Sequence, residues 1–170
     1  MATGRAVAYG LAGGGVVVGV MALVYAQSRE AFLSPVFQWS LVIVYLAAMV
    51  GTLLRRPPIP RGDAIRAALV TYLLVSACYY LYTYALYEWF DPELYGLQSR
   101  LMIENVRAAQ AGEPGLASES AAVKYAPENL RYTFSTVAYS YALGALSGAA
   151  VAFLLGNLLG AKPDDGPGAQ

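Results

Sequence analysis

Four long apolar stretches, separated by charged or proline-rich breaks, dominate the pattern along the chain. The first runs from Ala6 to about Gln27, with no charge between Arg5 and Arg29. The second runs from Ser34 to Leu54 and opens on Pro35, whose missing N–H costs nothing in a first helical turn. The third runs from Ala64 to Tyr87 behind Asp63, a residue type suited to an N-cap. The fourth runs from Thr133 to Ala161, ahead of the polar segment Lys162-Pro163-Asp164-Asp165. A helix of about 20 apolar residues, rising about 1.5 Å each, spans the roughly 30 Å hydrocarbon layer of a bilayer, so each stretch is long enough to cross. The first stretch also has features of a signal peptide, with Arg5 ahead of it and Val24-Tyr25-Ala26 near its end. It exceeds the usual signal core of about 7–15 residues, and we read it as a retained span. The expected fold is all-α: one membrane domain over residues 1–170, a four-helix bundle with a long connection, residues 88–132, between the third and fourth spans.

Composition narrows the chemistry. Charged residues make up 13% of the chain and apolar ones 58%, against roughly 25% charged in ordinary globular proteins. Eleven bases balance eleven acids, which leaves no net field to attract nucleic acid. Histidine is absent and Cys78 is the sole cysteine, so disulfide frameworks, histidine-based catalysis and most metal sites drop out, and no cofactor is expected. Cys78 has no basic neighbour in its span and reads as an inert small hydrophobe. Gly13-Gly14-Gly15 lies inside a span without a following lysine, unlike a phosphate-binding loop. With no Asp, Glu, Lys or Arg in the middle of any span, an ion or proton path has no carrier, and the chain reads as a non-enzyme.

Loop charge sets the expected orientation. Arg55, Arg56, Arg61 and Arg66 surround the second connection against a single Asp63, whereas the third connection carries seven acids and four bases. By the positive-inside rule both termini lie in the cytoplasm and the long connection outside, with localisation to the cytoplasmic (inner) membrane expected. Tyr84, Tyr87, Trp89 and Phe90 would then form an aromatic belt at the outer surface.

Small and hydroxylated residues mark the packing faces. Gly144, Gly148, Ala152, Gly156 and Gly160 repeat every fourth residue along the fourth span, and the first span pairs Gly10 with Gly14 and Gly15 with Gly19. Such stripes let backbones approach closely in lipid. We read them as packing on each other within the bundle; a dimerisation face is the alternative. On the third span Tyr72, Ser76, Tyr79, Thr83 and Tyr87 share a sector of about 80° at ~100° per residue. Thr133, Thr136, Ser140 and Ser147 form a similar stripe on the fourth. The two are expected to bond across to each other, with the lining of a ligand path as the alternative.

The long connection has a structural pattern of its own. Asp91-Pro92-Glu93 opens a helix in which Leu94, Leu97, Leu101 and Ala108 recur on one face, while Arg100, Glu104 and Arg107 lie on others. Leu94, Leu97 and Leu101 are the candidate docking residues, in a segment that is either a lid or a docking surface for another protein. Ala111-Gly112-Glu113-Pro114-Gly115 ends that helix, and a second short one is expected from Ser118 to Tyr125. The glycine-rich first span, the basic turn Arg55 to Gly62, the segment Asp91-Pro92-Glu93-Leu94 to Glu104, the break at Glu113-Pro114 and the small-residue-rich last span form a recognisable order. In these features the chain resembles a family of small bacterial four-span membrane proteins known only as a domain of unknown function (number four-one-nine-nine). The resemblance implies topology and brings no catalytic residue. The functional expectation is a non-enzymatic accessory or structural subunit of a membrane assembly, partnered by the bilayer and by other membrane subunits or itself. The alternative is a small transporter or binder of an apolar ligand such as a lipid or quinone.

Overall fold

The computed structural model describes residues 2–54, 59–109, 124–131 and 133–161. Four helices among them are long and apolar enough to cross a membrane: Gly4–Gln27, Pro35–Leu53, Arg61–Phe90 and Phe134–Leu159. No strand forms among the described residues, and the fold is an all-α four-helix membrane bundle. The basic positions Arg55 and Arg56, the helix-ending Ala111–Gly115 segment, most of the helix expected from Ser118 to Tyr125, and the chain from Lys162 onward lie outside the described residues. The chain divides into two compact units, Met1–Tyr82 with Ala138–Gln170, and Thr83–Val137.

The first unit is built on alanine and glycine. Its core joins Ala6 of the first span, Met49 and Leu53 of the second, Ala64, Ala67 and Ala68 of the third and Ala152 of the fourth, all buried. Side chains this small let the helix backbones approach closely, which is how helices gain packing energy where lipid supplies no hydrophobic drive. Two threonines tie three spans together inside this core. Thr52 Oγ1 lies 2.9 Å from Thr71 Oγ1, and Thr71 Oγ1 also lies 3.2 Å from the carbonyl of Ala6. At one end the Arg5 guanidinium donates to the carbonyls of Leu54 (3.0 Å) and Gly51 (3.2 Å), placing a cation at the negative C-terminus of the second span. The N–H of Ala161 donates to the carbonyl of Ile59 at the same end of the unit (2.9 Å), beside the isolated bridge between Pro60 and Ala161. The start of the first span, the end of the second, the start of the third and the end of the fourth therefore alternate in direction.

Three details differ from the sequence expectation. The third span starts at Arg61, so Asp63 lies within the first turn, where its charge suits the helix dipole, and is not the N-cap. The first connection is itself a short helix, Arg29–Leu33, capped by Ser28 Oγ accepting from the N–H of Ala31 (3.2 Å). The second span is interrupted at Leu41, between Pro35–Ser40 and Val42–Leu53. Just before that break Ser40 Oγ donates to the carbonyl of Phe37 (2.6 Å), a back-bond of the kind that bends helices.

In the second unit the end of the third span widens into a π turn, Leu86–Phe90, closed by the N–H of Asp91 donating to the carbonyl of Leu86 (2.7 Å). A turn through Asp91-Pro92-Glu93 leads into the helix Leu94–Ala109. Tyr95 Oη donates to Glu88 (2.7 Å), Tyr87 Oη to Gln98 (3.0 Å), and Ser99 Oγ to the carbonyl of Tyr125 (2.5 Å). The fourth span begins where Thr133 Oγ1 accepts from the N–H of Thr136 (3.3 Å), close to the expected start and with an N-cap that the sequence pattern does not assign.

Candidate functional site

The glycines fall into two groups according to what a side chain would meet. On the first span a Cβ at Gly10 would lie 2.8 Å from Leu74 Cβ, and one at Gly14 would lie 2.8 Å from Cys78 Cβ. On the fourth span a Cβ at Gly148 would overlap the Tyr72 ring, one at Gly156 would lie 2.8 Å from the backbone N of Ile65, and one at Gly160 would lie 2.8 Å from Arg61 Cα. Gly144 is looser, with Tyr80 Oη at 3.5 Å, and Ala152 is fully buried. Both stripes thus close onto the third span, which corrects the expectation that they pack on each other. A stripe shows which side of a helix is thin; it does not show which neighbour fills it.

Gly15 and Gly19 are different. Both are exposed, and neither has a neighbouring atom within 4 Å of a built Cβ. Within the described chain they pack against nothing, so this half of the expected packing set is not an internal contact. They belong to a longer stripe that reading glycine alone misses. Ala8, Ala12, Gly15, Gly19 and Ala26 are all exposed, and Ala22 is half-buried among them. At ~100° per residue these six share a sector of about 80°, spaced four, three, four, three, four, over roughly 27 Å of helix. The signal was present as an alternating small-residue period.

The polar stripe is divided between neighbours, and the hydrogen bonds among the described residues do not make it the expected ladder between the third and fourth spans. Tyr79 Oη donates to Gln38 Oε1 of the second span (2.9 Å), and the Tyr72 ring lies 5.3 Å from that of Tyr45. Ser76 is buried and pairs with the Tyr45 hydroxyl. Between the third and fourth spans, tyrosines outside the stripe donate to backbone instead: Tyr80 to the carbonyl of Ser140 (3.1 Å) and Tyr141 to that of Leu73 (3.2 Å). Thr83 is buried, while Thr136 is exposed and pairs with Thr133 (2.8 Å). Tyr87 leaves the stripe altogether, buried against Tyr95 with ring centroids 4.9 Å apart. It is therefore no part of an exposed aromatic belt, where Trp89 and Phe90 remain, at 72% and 77% exposed.

Within the first unit a cavity of about 360 Å³ opens among the second, third and fourth spans, walled by Trp39, Tyr45, Met49, Tyr72, Tyr79 and Ser147 among others. The second unit holds a shallower cleft between Tyr87, Glu88, Tyr95, Pro127, Glu128 and Arg131. Of the candidate docking residues, Leu94 is fully buried in its own unit and is removed from that role. Leu97 and Leu101 are half-buried. No family model, no curated protein and no solved structure matches the chain.

Proposed function

We propose that the protein is a non-enzymatic subunit of a membrane assembly, and that the open stripe of its first span receives a helix from another subunit or from a second copy. The supporting observation is the contrast on one helix. Gly10 and Gly14 have neighbours where a side chain would go, whereas Ala8, Ala12, Gly15, Gly19 and Ala26 have an exposed groove running nearly the depth of a bilayer. Lipid chains gain little from a groove of this kind, while a partner backbone gains close contact along its length. In this reading the termini are cytoplasmic, the second unit is external and the membrane is the bacterial inner one. Arg55, Arg56, Arg61 and Arg66 support that orientation, and the family resemblance is consistent with it.

The test is the mass of the complex extracted in mild detergent, with reporter fusions for topology. Gly15→Leu with Gly19→Leu should reduce the complex to the bare chain while the four spans stay inserted. Fusions at Pro58 and after Gln170 should read cytoplasmic and one at Glu113 exterior. An unchanged mass in the double variant defeats the docking reading. A shared compartment for Pro58 and Glu113 defeats the orientation. A second reading, a binder of an apolar ligand, is favoured by the cavity among the second, third and fourth spans.

A further inference from the structure

The cavity's walls restrict what can occupy it. Its hydroxyl and carboxamide groups are those of Gln38, Tyr45, Tyr72, Tyr79 and Ser147, and among the described residues no charged side chain lines it. A phosphate or ammonium group held there would lack a counter-charge at a depth where charge is costly. Most of the polar groups are already engaged. Tyr79 Oη donates to Gln38 Oε1 and Gln38 Nε2 donates to the carbonyl of Phe32, both at 2.9 Å, and Tyr45 pairs with Ser76. The hydroxyls of Tyr72 and Ser147 line the cavity without a hydrogen-bond partner among the described residues. A hydroxyl in hydrocarbon with no acceptor is unfavourable, so both are donors for a guest.

Depth separates the remaining candidates. The cavity runs from Gln38 to Met49 along the second span, eleven residues or about 16 Å, which is half the hydrocarbon thickness. Tyr72 lies eleven residues inside the start of the third span and Ser147 twelve before the end of the fourth, both near the middle. A phospholipid keeps its oxygens at the interface and would bring only methylene groups to that level. The Tyr45 and Tyr72 rings, 5.3 Å apart and inclined at 52°, also offer faces to a flat guest. The side toward lipid carries exposed Trp39, Val42 and Leu46, an apolar rim for lateral entry. We propose that the cavity between the second, third and fourth spans binds a neutral lipophile with a flat, carbonyl-bearing ring, of quinone type, whose carbonyl oxygens accept from Tyr72 and Ser147. This rests on the ligand-binding reading above and is independent of the docking stripe.

Trp39 supplies the readout. In a Trp89→Phe background it is the sole tryptophan, and a short-chain benzoquinone titrated into the full-length protein in nanodiscs should quench it saturably. Tyr72→Phe with Ser147→Ala removes both donors and retains the tyrosine ring; it should weaken binding roughly 10-fold, as expected for two hydrogen bonds of about 1 kcal/mol or less each. Equal affinity in that variant, with the protein still monodisperse, overturns the assignment of the donors. Saturable quenching by a brominated fatty acid but not by the quinone overturns the ligand chemistry and leaves the ligand-binding reading standing. Saturation by neither probe overturns both.

Discussion

The small-residue faces of the fourth and first spans are alike in composition and opposite in circumstance. On the fourth span, Gly148, Ala152 and Gly156 are buried, and Tyr72 and Ile65 occupy the space a side chain would need. On the first span, Gly15 and Gly19 have empty space around them. A close-approach face already filled by its own chain is part of the fold. An open face of the same kind is available to something else. The difference shows that the role of a glycine in a membrane helix depends on its surroundings more than on its spacing.

The filled face should give the largest effect when disturbed. Gly148→Leu drives a side chain into the Tyr72 ring, and we expect loss of folded, monodisperse protein, beyond the ~1–3 kcal/mol usual for overpacking. Leu154→Ile, at a position 60% exposed on the same helix, should change the thermal midpoint very little. If Gly148→Leu were as well tolerated as Leu154→Ile, the distinction between filled and open faces would fail. The second unit offers a parallel pair: Leu94→Glu, at a fully buried site, should destabilise the protein far more than Leu101→Glu, at a half-buried one, as read by proteolysis between residues 94 and 109.

Much of this arrangement is legible in the chain. Spans need only length and apolarity, and all four are found close to where the apolar runs put them. What periodicity cannot supply is the identity of the neighbour. Gly14 and Gly15 are adjacent and compositionally equivalent, yet ~100° of rotation separates a contact with Cys78 from open space. Tyr87 illustrates a second limit. Projecting it onto the stripe of Tyr72 and Tyr79 assumes a uniform helix, and the π turn at Leu86–Phe90 breaks that register, after which Tyr87 pairs with Gln98 and Tyr95. The cavity was invisible for a related reason, since its walls come from three spans.

Smaller effects sharpen the contrast. Thr71→Val should cost roughly 1 kcal/mol by removing the hydroxyl shared with Thr52 and Ala6, measured as a shift in the unfolding midpoint. Gly15→Leu with Gly19→Leu should shift the midpoint of the isolated chain least of all, because no atom of the described residues lies within 4 Å of a Cβ at either position. A destabilisation as large as that of Thr71→Val would place an internal contact on the open face.

The most direct test of the open face is photo-crosslinking in intact membranes from two positions, Gly19 on the first span and Leu146 on the fourth. Leu146 is 72% exposed and is taken as a lipid-facing reference. A photoreactive residue at position 19 should give one discrete protein adduct of fixed mass, and at position 146 none. Absence of a protein adduct at 19, or the same adduct pattern at both positions, would contradict the account.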